Sequence, residues 1–158
     1  KELAGARAED RQAWVAEIDR RRGELLAEAD TAGGGLGIAA LLHIFALPLF
    51  EQTDTAGLHS YARFLLGLER SGRLAVRGGV SEEFPETNRV IALLVDRLPQ
   101  GAAVSGPTRL RLVTSLLATT LQIIDRSPEL NSGEANDLFD EALAMSAAAL
   151  GAPVSKEI

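Results

Sequence analysis

Few residues of this chain could do chemistry, and their spacing restricts what that chemistry could be. There is no cysteine, so disulfides and thiolate metal sites are excluded. The only imidazoles are His43 and His59. Neither has a glutamate three residues before it or a histidine four residues away, the spacings at which a helix presents metal ligands, so no metal site is expected. His43 lies inside an apolar run, where it is either a core histidine hydrogen-bonded to a neighbour or a polar anchor in an apolar cavity. His59 falls near a helix start and is expected in solvent. Glu134, Asp137, Asp140 and Glu141 line the outer face of one helix, the usual pattern of a solvated surface. Serine nucleophile elbows, phosphate loops and zinc-protease spacings are absent. The chain is therefore expected to be no enzyme and to need no cofactor.

One glycine motif invites a nucleotide reading. Gly35-Leu36-Gly37-Ile38-Ala39-Ala40 fits the G-x-G-x-x-A pattern of dinucleotide-binding turns. That chemistry needs a strand before the turn, and here the preceding residues, RRRGELLAEAD, are helical in character. The glycines read instead as the end of one helix and the approach to the next.

The element at the centre of the chain is Leu36 to Phe50, LGIAALLHIFALPLF, fifteen residues whose one polar side chain is His43. A helix without a polar face must be wrapped by other elements, and this one is shorter than the roughly 20 residues a bilayer span needs. No membrane partner is expected. Pro48 removes one backbone donor, and because Leu49 and Phe50 continue the run it is expected to bend the helix rather than end it.

Around that rod the periodicity predicts five amphipathic helices. Arg7 to Asp30 is rich in Ala, Glu and Arg, with Trp14, Ile18 and Leu25 on one face; Thr31 to Gly37 stops it. A third helix, capped by Thr53 or Asp54, carries Leu58, Tyr61, Leu65 and Leu68 and runs to about Ser71. Gly72 to Glu83 reads as a loop. A fourth helix covers Thr87 to Leu98, with a start as early as Ser81 left open, and stops at Pro99 and Gly101. A fifth follows Ser105 and Pro107, with apolar residues at 110, 113, 117, 121 and 124. Asn131 or Ser132 caps a sixth, alanine-rich helix ending at Leu150 and Gly151. No stretch alternates like a strand, so the fold class is all-α: a bundle of about six helices forming one domain over residues 1–158.

The charge balance agrees with a protein that does not bind nucleic acid through this chain. Sixteen basic against 22 acidic residues leave −6, which opposes contact with phosphate backbones and anionic lipid. No signal-peptide pattern occupies the first residues, and a cytoplasmic location is expected. The chain begins at Lys1 without methionine, which suggests a piece of a longer polypeptide.

The segment order and texture, from Ala39 to Phe50 with its Pro48, through HSYARFLLGLERS and TNRVIALLVDRLP, to RLRLVTSLLATTLQIIDR, resemble the C-terminal domain of tetracycline-repressor (TetR) family transcriptional regulators. The resemblance covers nearly the whole chain. It implies that Arg7 to Asp30 is the helix linking this domain to an N-terminal helix-turn-helix headpiece, which would supply the DNA contacts and is absent from this chain. It implies a homodimer in which Pro107 to Arg126 and Gly133 to Leu150 pair with their symmetry mates, and the small residues Ala118, Ala135, Ala142, Ala148 and Ala149 suit close helix approach. It further implies a small, apolar effector between the first helix and helices two to five, contacting some of Trp14, His43, Phe50, Tyr61, Phe64 and Asn88. The alternative from the residues alone is a non-catalytic scaffold or protein-interaction bundle presenting an exposed apolar stripe.

Overall fold

A computed structural model describes residues 8–72, 82–102 and 105–154. Among the described residues the chain forms six α-helices and no strand: α1 (Ala8–Ala32), α2 (Ile38–Glu51), α3 (Ser60–Arg70), α4 (Pro85–Asp96), α5 (Gly106–Asp125) and α6 (Ser132–Gly151). None of them is long and apolar enough to cross a membrane. Most of the expected loop from Gly72 to Glu83 lies outside the described residues.

α2 is the hub. It packs against α1, α4 and α6 and touches α5, and its Leu41, Leu42, Ala46, Pro48 and Leu49 are buried. It runs on past Pro48 to Glu51, where the Gln52 N–H still bonds to the Pro48 carbonyl. α2 is not wrapped on every side, however. Ala39, Ala40 and His43, which share one face at the helical repeat, are exposed. Alanine loses little by facing water and an imidazole gains, so the rod needs no neighbour there. This corrects both readings of His43, each of which requires burial.

α1 ends where Gly33 takes φ +70°, a conformation open to glycine without strain. Gly23, inside α1, has another use: a Cβ there would come within 2.9 Å of the Glu86 side chain, so the missing side chain lets the first turn of α4 sit against α1. α4 starts within the expected span from Ser81 to Thr87, at Pro85, which occupies the first turn, where a missing N–H costs nothing.

α3 lies antiparallel on α5. His59 meets Asp125, Arg63 Nε donates to Gln122 Oε1 at 3.2 Å, and Arg111 pairs with Glu69, so three polar contacts fasten the pair along its length. α5 and α6 form an antiparallel hairpin closed at its far end by Arg109, which donates to the Leu150 carbonyl at 3.0 Å. The expected caps divide. Asn131 accepts from the Glu134 N–H at 3.0 Å while Glu134 accepts from the Asn131 N–H at 2.9 Å, a full capping box for α6. Ser105 makes no cap bond. Asp54 caps no helix: it stands six residues before α3 and gathers the Ala56 N–H, the Leu58 N–H and the Ser60 hydroxyl, thereby shaping the loop instead.

The outer faces of the last two helices carry exposed apolar side chains. On α5, Leu112 is 66% exposed and Ile123 50% exposed, with Leu116 and Thr119 between them on the same stripe. On α6, Met145 is 54% exposed beside exposed Ala148 and Ala149.

Candidate functional site

One face of α1 carries Arg11, Trp14, Ile18, Arg22 and Leu25, spaced three or four residues apart. One face of α3 carries Tyr61, Phe64 and Leu68 at the same spacing. α3 packs on α5 rather than on α1, so these two faces flank a seam. Across it the Arg11 guanidinium lies 5.2 Å over the Phe64 ring, and Tyr61 is 6.2 Å from Phe64 on the α3 side. Trp14, Tyr61 and Phe64 are all half-buried.

Deeper on the α1 side is a polar cluster that the periodicity did not single out. Arg22 is 5% exposed. Its Nε and Nη2 donate to the Phe45 carbonyl at 3.0 and 2.6 Å, its Nη1 donates to Thr87 Oγ1 at 3.0 Å, and its guanidinium sits 4.3 Å over the Phe45 ring. One turn away, the buried Asp19 carboxylate accepts the Thr87 N–H at 2.7 Å. That N–H belongs to the first turn of α4, where the helix itself offers no acceptor and Phe84 makes no side-chain cap, so α1 caps α4 in trans. The cluster thus joins α1, α2 and α4. Burial pulls the Arg22 guanidinium down to about 10, with Tyr61 and Asp19 opposing, which still leaves it a cation at neutral pH. The signal was present in the sequence as Arg22 standing midway between Ile18 and Leu26 on an otherwise apolar stripe.

A second buried cluster lies where α2, α3, α5 and α6 meet. His59, also 5% exposed, directs Nδ1 to Asp125 Oδ1 at 2.6 Å and Nε2 to the Phe50 carbonyl at 3.0 Å. Its backbone N–H donates to Asp125 Oδ2 at 3.0 Å. Both ring nitrogens face an acceptor oxygen. The Phe50 ring stacks on His59 at 5.7 Å and on Phe139 at 4.5 Å. The solvated reading of His59 is therefore corrected: a carboxylate 66 residues away takes it into the interior.

The residues singled out from sequence accordingly fall into separate places. Tyr61 and Phe64 meet on α3, and Trp14 lies on the α1 face that carries Arg11. Phe50 belongs to the His59 cluster. Asn88 is half-buried on α4, next to Thr87, and His43 stands exposed on the far side of α2 from Phe45. A small groove elsewhere, between α1 and α2, is lined by Glu17, Ile18, Arg21, Pro48, Glu51 and Gln52. Its volume of about 70 Å³ holds a few waters, and the Arg21 to Glu51 bridge at 3.0 Å crosses it. Among the described residues no three His, Asp or Glu side chains gather as a metal site would require.

Compared with known proteins, the chain matches no family model, no curated protein and no solved structure.

Proposed function

We propose that this chain is the effector-binding and dimerisation domain of a TetR-like transcriptional regulator, pairing with a second copy and controlling an N-terminal DNA-binding headpiece through α1. The observation that carries the reading is the pair of unpartnered apolar stripes on the adjacent antiparallel helices α5 and α6, Leu112 to Ile123 on one and Met145 to Ala149 on the other. Exposed apolar surface of this extent on neighbouring helices favours a partner, and a two-fold axis through one such patch makes it self-complementary. Support for a ligand comes from the seam, where α1, the helix that would lead to the headpiece, faces the aromatic side of α3. A small molecule with an apolar body that prefers one spacing of α1 and α3 shifts the population of that spacing by its differential affinity, and so moves α1.

Light scattering with size exclusion at micromolar concentration tests the dimer: wild type runs at twice the chain mass, and the double variant Ile123→Asp, Met145→Asp runs as a folded single chain. A wild-type mass of one chain overturns it. Thermal shift against a library of small apolar molecules tests the effector, with stabilisation reduced in Phe64→Ala. No stabilisation by any member overturns that half of the reading.

A further inference from the structure

We propose that α1 is a two-part lever: the stretch from Ile18 onward is bolted to the body, and the stretch before it is latched to α3 by the Arg11 guanidinium on the Phe64 ring and opens as a local unit when that latch releases. The inference rests on how α1 is packed and not on the effector reading, for which it locates the part that moves.

Burial divides the helix. From Glu9 to Glu17 every side chain is exposed except Arg11, Trp14 and Val15, which are half-buried. Ile18, Asp19, Arg22 and Leu26 then follow as buried residues, at most 8% exposed. The polar contacts change at the same boundary. Beyond it, Arg22 donates to the Phe45 carbonyl of α2 and to the Thr87 hydroxyl of α4, Asp19 accepts the Thr87 N–H, and Arg21 bridges to Glu51 of α2 at 3.0 Å. Gly23 adds a close approach, since its missing Cβ leaves room for the Glu86 side chain. Successive turns thus grip two different helices, and moving this part of α1 would break buried charge-assisted bonds together.

Before the boundary the chain is held differently. Glu17 pairs within α1, with Arg20. α3 has α5 as its packing neighbour, and α1 reaches across to it where Arg11 lies 5.2 Å over the Phe64 ring. A cation over a ring at a solvent-accessible site shifts an equilibrium only a few-fold. Segments that bury little apolar surface are the ones that open locally, and a helical stretch of about ten residues is marginal in water once it loses its support. A swing of the whole of α1 is therefore disfavoured against release of residues 9–17 alone, with Ile18 as the fulcrum.

Amide exchange of the full chain, followed residue by residue by NMR, tests this beyond the first turn of the helix. In the wild type the amides of Ala13 to Glu17 exchange roughly tenfold or more faster than those of Arg22 to Leu26. In Phe64→Leu, which keeps apolar bulk and removes the ring face, exchange at Ala13 to Glu17 quickens about threefold, the scale of an exposed cation–π contact, while Arg22 to Leu26 stay unchanged. Arg11→Gln has the same effect. Equal protection along the whole of α1 overturns the division. A division that persists while neither variant quickens the first part overturns the latch, and variants that speed both parts alike show one rigid helix and overturn the lever. Dimer mass and ligand stabilisation are measured separately, so the effector reading stands or falls apart from this one.

Discussion

The two buried polar clusters of this bundle make an instructive pair. At the meeting of α2, α3, α5 and α6, His59 and Asp125 close on one another: the carboxylate takes a ring nitrogen and a backbone N–H, and the other ring nitrogen faces the Phe50 carbonyl. On the opposite side of α2, Arg22 is equally buried, but a carbonyl, a hydroxyl and an aromatic face answer its charge, with no carboxylate in contact. The first cluster is complete within the chain and serves to fasten helices. The second also fastens helices, α1 to α2 and α4, with the Asp19 carboxylate a turn away on the same face. Two polar sites of equal depth can therefore be satisfied by different means, one by a carboxylate in direct contact and the other by neutral acceptors with a carboxylate a turn away.

The largest effect is expected from breaking the closed cluster. Asp125→Ala strands the His59 ring and its N–H, and should lower unfolding free energy by about 3 kcal/mol in urea titration, the scale of a buried pair robbed of one partner. Thr87→Val, which removes only the hydroxyl that accepts from Arg22 and keeps the backbone cap to Asp19, should cost about 1 kcal/mol by the same measurement. A loss as large as that of Asp125→Ala would erase the distinction between the clusters.

The loop between α2 and α3 gives a smaller, pH-dependent effect. The Ser60 hydroxyl above all, with the Leu58 and Ala56 N–H groups, holds the Asp54 carboxyl below the usual carboxylate range. A depressed folded value contributes stability that is present above the unfolded carboxylate range and disappears as pH falls through the folded value. Amide exchange at residues 56–60 should accordingly quicken on acidification below pH 4, and Asp54→Asn should remove that response. The smallest effect belongs to the exposed imidazole: His43→Ala should leave the urea midpoint unchanged, whereas His59→Ala should lower it clearly.

Much of the architecture was legible from residue spacing. The six helices, the continuation of α2 through Pro48 and the Asn131 cap follow from periods of three and four and from short-range hydrogen bonds, which act within one element. Asp54 misled because the same side chain that caps helices also organises loops, and which it does depends on the turn that follows. Of the six ligand-contact candidates, Tyr61 and Phe64 meet on α3, with Trp14 on the α1 face that carries Arg11 and Asn88 on α4; Phe50 and His43 could be sorted from them only once the faces of α2 were assigned to neighbours.

By itself, the sequence determined which residues share a helix face, where helices begin and stop, and that no strand, thiolate site or membrane-spanning helix forms among the described residues. Tertiary structure alone decided which imidazole and which guanidinium are buried. The reason is geometric: periodicity ranks residues around one helix, but Asp125 stands 66 residues from His59 and Thr87 stands 65 from Arg22, and only the docking of helices brings such partners together.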